Sequence, residues 1–295
     1  MKTPIPPVLI TFAFVCVVLL QNAQAVVPAP DGGYPGFTTA EGTKALQNLT
    51  TGSANTAVGW FSLESVTTGS FNSATGAGSL LFNTAEANTA FGAAALLFNT
   101  TGTNSTAVGA AALLDNTIGE ENTATGAFAL SSNTEGDFNT ANGAFALQVN
   151  TMGERNTAIG DSAMFSNTTG SRNTATGNAA LGVNTTGVDN TAIGSAALFF
   201  NNGDDNTAIG SEALLANTTG FNNTADGYQA LQSNTEGSFN TAVGFRALND
   251  NILGGQNTAL GYFAGFNVTG TNNTAVGGNA LFNSTTGNGN IALGA

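Results

Sequence analysis

Two adjacent acidic pairs, Glu120-Glu121 and Asp204-Asp205, are the residues of this chain with types and spacing suited to acid–base work or to a calcium site. Acid–base catalysis needs carboxylates whose environments set them apart, and calcium needs about six to eight oxygens converging from one cage. Neither pair has a recurring partner carboxylate, and both stand beside a return turn, where solvated acids are common. Calcium-binding rolls place an Asp in every turn of a G-G-x-G-x-D pattern, and this chain has no such Asp column. Arg155 and Arg172 fall one repeat apart and could stack on one edge, as an anion site or as a plain surface pair. Phe199-Phe200, Phe82 and Phe98 could form a strip for stacking sugar rings, or pack against the next coil or a second chain. Asn-x-Ser/Thr matches at Asn99, Asn104, Asn167, Asn184, Asn217 and Asn267 mean glycosylation only in a host with that machinery. The reading assigns no catalytic residue, no metal ligand and no cofactor.

Composition agrees with sparse chemistry. The 295 residues include no His, one Cys and charged residues at only 8%, against about 25% in an average soluble domain. The formal charge of -13 lacks the basic footprint that nucleic-acid binding needs. Hydrophobic residues at 41% are too many for a disordered polar chain, so a folded one is expected.

The first 25 residues read as an export signal. Lys2 supplies the positive end, Val8 to Leu20 is an apolar run, and Ala23-Gln24-Ala25 forms a small-residue cleavage site. The run is shorter than the roughly 20 residues of a membrane-spanning helix. Cys16 lies inside it, so a mature chain from residue 26 has no cysteine and no disulfide. The expected location is secreted or cell surface. Residues 26–37, with Pro28, Pro30 and Pro35, read as a leader or N-terminal cap.

From residue 38 to 295 one unit recurs, N-T-A-x-G-x-x-A-L-x-x-N-T-T-G-x-x, whose columns are numbered 1 to 17 below. Ala in column 3 (Ala40 to Ala292) and Gly in column 5 (Gly42 to Gly294) hold in all sixteen units. Three units are one residue short, at Thr84-Ala85-Glu86, Asn201-Asn202-Gly203 and Ala264-Gly265-Phe266. Two of these lie in the N-T-T-G segment, which marks it as a turn.

A period of 17 is too short for a pair of helices and fits an all-β parallel β-solenoid, or β-roll, of about sixteen coils. Columns 1–4 are expected as one strand, Gly of column 5 as a corner, columns 7–11 as a second strand, and N-T-T-G as the return. Runs such as Ala93 to Phe98 are too short between glycines to nucleate a helix. Coils stacked about 4.8 Å apart would make a rod of roughly 75 Å. Asn of column 12 and Thr of column 2 are expected to form ladders along it. Strand alternation puts Leu of column 9 and Ala of column 3 inside and column 4 outside. It leaves two readings for the small residues of column 8. They face outward against a second chain, or the register is shifted by one and they are interior.

The units Asn156-Thr157-Ala158-Ile159-Gly160 and Asn190-Thr191-Ala192-Ile193-Gly194 resemble the N-S-V-A-I-G repeats of YadA-like heads in trimeric autotransporter adhesins. Residues 222–235 (NNTADGYQALQSNT) also resemble repeats of phage tail-fibre and surface proteins. The resemblance spans residues 38 to 295 and implies a left-handed parallel β-roll, three chains side by side, and surface attachment. The family's unit is commonly shorter, its second position is often Val where this chain has Thr, and its stalk, membrane anchor or chaperone domain has no counterpart in these residues.

The expected function is a non-enzymatic surface or fibre protein, a homotrimer that attaches to a host surface, matrix or glycan and binds no nucleic acid. Regularity motivates it, because an enzyme needs one unusual coil and no coil is expected to collect unusual residues. Alternatives are an ice-binding solenoid using Thr columns and a shaft like that of a phage tail fibre. The final unit stops at Ile291-Ala292-Leu293-Gly294-Ala295 without a polar cap, which suggests a truncated sequence or end-to-end association.

Overall fold

β-Branched and extended-favouring residues concentrate in columns 2 and 4, on either side of the invariant Ala. There the backbone forms strands. A computed structural model, which describes residues 36–294, contains sixteen three-residue strands from β1 (Thr39–Glu41) through β8 (Thr157–Ile159) and β9 (Thr174–Thr176) to β16 (Ile291–Leu293). They pair in parallel, each with its neighbours in sequence, as one sixteen-stranded sheet. The register repeats column on column: in β8 and β9, Thr157 faces Thr174, Ala158 faces Ala175 and Ile159 faces Thr176. No helix occurs among the described residues. The chain is an all-β parallel solenoid of about sixteen 17-residue coils. The export signal and residues 26–35 lie outside the described residues.

The second strand expected over columns 7–11 does not form. Columns 6–11 run as consecutive turns, and the non-glycine residues of columns 7, 9 and 17 all take positive φ. In column 9, Leu and Met hold φ between 50° and 53°. The left-handed region is costly for β-branched side chains, and columns 7, 9 and 17 contain no Val, Ile or Thr in any coil. Because this segment is not extended, alternation fails there. Ala of column 8 and Leu of column 9 both point inward, and Ala112, Leu113, Ala129 and Leu130 are fully buried. The outward placement of column 8 is therefore wrong, and its small residues serve the interior. At the exposed column-17 residue Gln256, whose φ is 59°, Gln256→Gly should stabilise by about 0.5–1 kcal/mol and Gln256→Val destabilise by about 1–2 kcal/mol. Equal urea midpoints for the two variants would contradict this.

The core is a stack of three apolar columns (Ala 3, Ala 8, Leu 9) flanked by two buried columns of Asn. Column 1 was not expected to form a ladder. Its Asn Oδ1 atoms accept the backbone N–H of the next coil's column 1, as from Asn156 to Asn139 (3.0 Å) and Asn173 to Asn156 (3.0 Å). Column 12 forms the expected ladder, with each Nδ2 donating to the Oδ1 one coil earlier: Asn150 to Asn133 and Asn167 to Asn150, both 2.7 Å. The two ladders meet on one carbonyl. Gly153 O accepts from Asn139 Nδ2 (2.8 Å) and Asn150 Nδ2 (3.0 Å). A Cβ on Gly153 would collide with Asn150 and with the carbonyl of Gly170, so Gly153 is needed for close approach, although one shortened coil holds Ala85 in the same column. Column 5 needs glycine for conformation as well, with φ of 146° at Gly143.

The Thr ladder expected in column 2 runs instead in column 13. Thr100 Oγ1 donates to Thr117 O (2.8 Å) and Thr117 Oγ1 to Thr134 O (2.9 Å). The three one-residue deletions also resolve to one place. Gly265 N donates to Ala280 O, Asn267 N to Phe282 O and Thr269 N to Thr285 O. Those bonds keep columns 9, 11 and 13 in register, so the third deletion falls at column 14, in the N-T-T-G turn like the other two.

The polarity of the column-12 ladder leaves a signature at its end. Asn251 Nδ2 donates to Asn234 Oδ1 (3.0 Å), but the next coil has Val268 in column 12. Asn251 Oδ1 is the one buried side-chain polar atom without a hydrogen bond among the described residues. Val268→Asn supplies the missing donor and should stabilise by about 1 kcal/mol; a lower melting temperature would contradict this account of the ladder.

Candidate functional surface

Side chains reach the surface from columns 2 and 4 of the sheet, columns 6, 7, 10 and 11 of the turn run, and columns 13, 14, 16 and 17 of the return. The acidic pairs lie on the return. Asp204 Oδ1 accepts the Val188 N–H (2.9 Å), and Asp137 Oδ1 accepts the Glu120 N–H (2.7 Å). Ser171 and Ser238 do the same for Glu154 and Phe221. A short acceptor in column 16 thus satisfies the backbone donor one coil earlier, which gives Asp204 a structural task that a serine can also perform. No group of three or more potential metal ligands occurs among the described residues.

Arg155 and Arg172 take different partners. Arg155 pairs with Glu154 (2.9 Å) and lies 5.1 Å from the Phe138 ring centroid. Arg172 forks onto Asp189 with two bonds of 2.7 Å. Those hydrogen bonds raise the Arg172 pKa and hold the Asp189 carboxyl below its ordinary value. A depressed carboxylate pKa gives stability that is present above the unfolded value and lost as pH falls through the folded one. Both groups are exposed, so solvent screens the pair. Arg172→Ala should return the Asp189 titration to the usual carboxylate range by NMR, with little change in melting temperature. An unmoved Asp189 titration would contradict the bidentate pair.

Phe82 and Phe98 stack with centroids 5.5 Å apart and planes 5° from parallel. They line a shallow groove of about 740 Å³ with Thr100, Thr117 and Thr134. The hydroxyls of Thr100 and Thr117 are committed to the column-13 ladder, and the other polar side chains lining the groove include Ser65 and Asp115. Phe199 and Phe200 meet edge to face at 4.6 Å. The glycosylation matches divide by column. Asn99, Asn167, Asn184 and Asn217 are ladder residues with no exposed surface, whereas Asn104 is exposed and Asn267 half-buried.

One constellation was missed. Columns 7 and 10 hold Ala, Phe, Leu or Ser in most coils, but in three successive coils they hold Glu212, Gln229, Gln232, Arg246 and Asn249. Gln229 Nε2 (2.7 Å) and Gln232 Nε2 (2.8 Å) both donate to Glu212 Oε2. Arg246 Nε donates to Gln229 Oε1 (2.6 Å), and Asn249 Nδ2 to Gln229 O (2.9 Å). The expectation that no coil collects unusual residues is therefore wrong. Its sequence signal is the break in columns 7 and 10 at consecutive repeats, which a consensus averages away. Beside this network, Tyr228, Phe245 and Tyr262 of column 6 stack at 5.4 Å intervals.

The outer face of the sheet is the other distinctive surface. Column 4 carries an apolar residue in ten of sixteen coils, among them Val108, Ile159, Ile193, Ile209 and Leu260, all exposed. The column-2 hydroxyls beside them make no hydrogen bond among the described residues.

No known family model matches the chain, and no curated protein matches it.

Proposed function

We propose that the protein is an exported, non-enzymatic fibre or adhesin-head-like rod, in which three copies pack side by side and present their remaining surface for attachment. The observation that carries this reading is the exposed apolar column 4. It recurs along the parallel sheet from Val58 to Leu293, interrupted at Thr75, Thr125, Asn142, Thr176 and Asp226, with the Thr of column 2 beside it. Single exposed apolar residues are ordinary, but apolar residues recurring on one face, with an unbroken run at Val243, Leu260, Val276 and Leu293, mark an interaction surface. A regular stripe on every copy suits a closed, symmetric association. The sequence resemblance to YadA-like heads points the same way and adds a left-handed roll and a trimer.

The interface lies on columns 2 and 4, whereas the column-8 face would have been its place if those residues had faced outward. The double variant Ile159→Glu/Ile193→Glu should dissociate the assembly to monomers without unfolding the rod, because both side chains are exposed in the single chain. Leu253→Glu, at an exposed turn tip away from the sheet, should leave the assembly intact. Sedimentation velocity of both variants tests this; an unchanged sedimentation coefficient for the double variant contradicts the proposed interface.

A second reading has one specific observation in its favour. The column-2 hydroxyls are unengaged, in register and spaced by the strand separation, the kind of array that orders surface water. Thermal hysteresis of the pure chain separates the two. An attachment role predicts none, and clear hysteresis with shaped ice crystals would favour ice binding.

A further inference from the structure

We infer that the turn-run face of the coils spanning residues 206–289 is a binding site for a neutral, extended oligosaccharide. The inference rests on the attachment reading and names a ligand class for it.

The first observation is a set of polar groups that the fold does not consume. Glu212 Oε2 is taken by two amides, but Oε1 makes no hydrogen bond among the described residues. Arg246 uses Nε on Gln229, and neither Nη atom is engaged. The other basic residues of the described chain, Lys44, Arg155 and Arg172, are in ion pairs; Arg246 is the one that is not. Gln229 and Asn249 are more than nine-tenths buried, so the network is held rigidly beneath these two free ends. An acceptor and a forked donor about two coil spacings apart, roughly 10 Å, face solvent with no net charge between them.

The second observation is an aromatic ledge. The rings of Tyr228, Phe245 and Tyr262 cover one another's faces, with interplanar angles of 19° and 16°. The stack ends at Tyr262 because the next column-6 residue is Gly278, and a Cβ there would stand in nearly open space. Tyr262 is 56% exposed and meets Phe263 at right angles (4.4 Å), and no ring stacks on it from the Gly278 coil among the described residues. Arg246 sits against the same stack, 5.5 Å from the Phe245 centroid.

Sugar hydroxyls both donate and accept, which suits a mixed array of carboxylate, amide and guanidinium groups. The C–H face of a pyranose suits an open aromatic ring. An extended pyranose chain advances per sugar by about one coil spacing, so successive sugars would meet successive coils. Neutrality follows from the charges. Glu212 offsets Arg246, and the net charge of -13 repels a polyanionic glycan.

Calorimetric titration of the full chain with cellohexaose, mannohexaose and chitohexaose, and with a galacturonate hexamer as the acidic arm, tests the proposal. At least one neutral probe should bind in the millimolar range or tighter. Arg246→Met, which keeps the side chain as far as the Nε position and removes the guanidinium donors, and Gly278→Phe, which covers the ledge and removes nothing, should each weaken it about tenfold or more. Phe98→Ala, on a distant coil, should leave it unchanged. Circular dichroism checks the fold of each variant, and Tyr262→Ala replaces either one that fails to fold. No binding of any neutral probe, binding of the acidic oligomer alone, or binding indifferent to Arg246→Met and Gly278→Phe would overturn the site. A trimer that binds no probe overturns the saccharide site alone, and a monomer that binds one overturns the assembly alone.

Discussion

Asn150→Asp is expected to destabilise the rod by about 3–5 kcal/mol at neutral pH, the cost of leaving a buried charge without a counter-charge. Asn150 is fully buried and makes three ladder bonds. Its Nδ2 donates to Asn133 Oδ1 (2.7 Å) and Gly153 O (3.0 Å), and its Oδ1 accepts from Asn167 Nδ2 (2.7 Å). A carboxylate can still accept from Asn167 but now faces two other acceptors with no proton to offer. Protonation restores a donor, so the folded state raises this Asp's pKa above its unfolded value of about 3.9. The sign follows: the deficit against the unsubstituted chain is small below that value and grows as pH rises through the folded pKa. Urea denaturation at acid and neutral pH reads this directly. A variant as stable as the parent at neutral pH would show that the column-12 ladder contributes nothing.

The second large effect is local. Gly143→Ala should cost about 3 kcal/mol or more, from two sources that add. A φ of 146° is one that side chains rarely adopt, and a Cβ would meet the carbonyl of Gly160 in the next coil. Because each coil contacts only its neighbours, the damage should stay near its origin. Hydrogen exchange should show lost protection across the coils that contain Gly143 and Gly160, with the terminal coils unchanged. Gly278→Ala is the matched control, since its Cβ meets nothing closer than 4.0 Å, and it should exchange like the parent. Equal protection in both variants would refute the requirement for glycine in column 5.

What could be read from the sequence depended on how each column constrains the chain. The invariant Ala and Gly set the period, and the period is enough for a parallel solenoid with columns 3 and 9 inside. The turn run was misread as a strand because hydrophobic alternation was applied to a backbone whose φ changes sign. The corrective signal was present. Columns 7, 9 and 17 exclude Val, Ile and Thr in a chain with 43 Thr, as left-handed residues must. The Asn of column 1 looked like part of a strand, and its ladder emerged only once Gly153 and most of its equivalents were seen to collect two amides. Averaging over sixteen coils also hid Glu212, Gln229 and Arg246, because a consensus discards the positions where one coil differs from its neighbours.

The column-4 stripe is exposed in the single chain and, on this account, covered in the functional one. Light scattering on purified residues 26–295 tests that most directly. The account predicts a monodisperse particle with three times the mass of one chain. A stable monomer at the same concentration would contradict it.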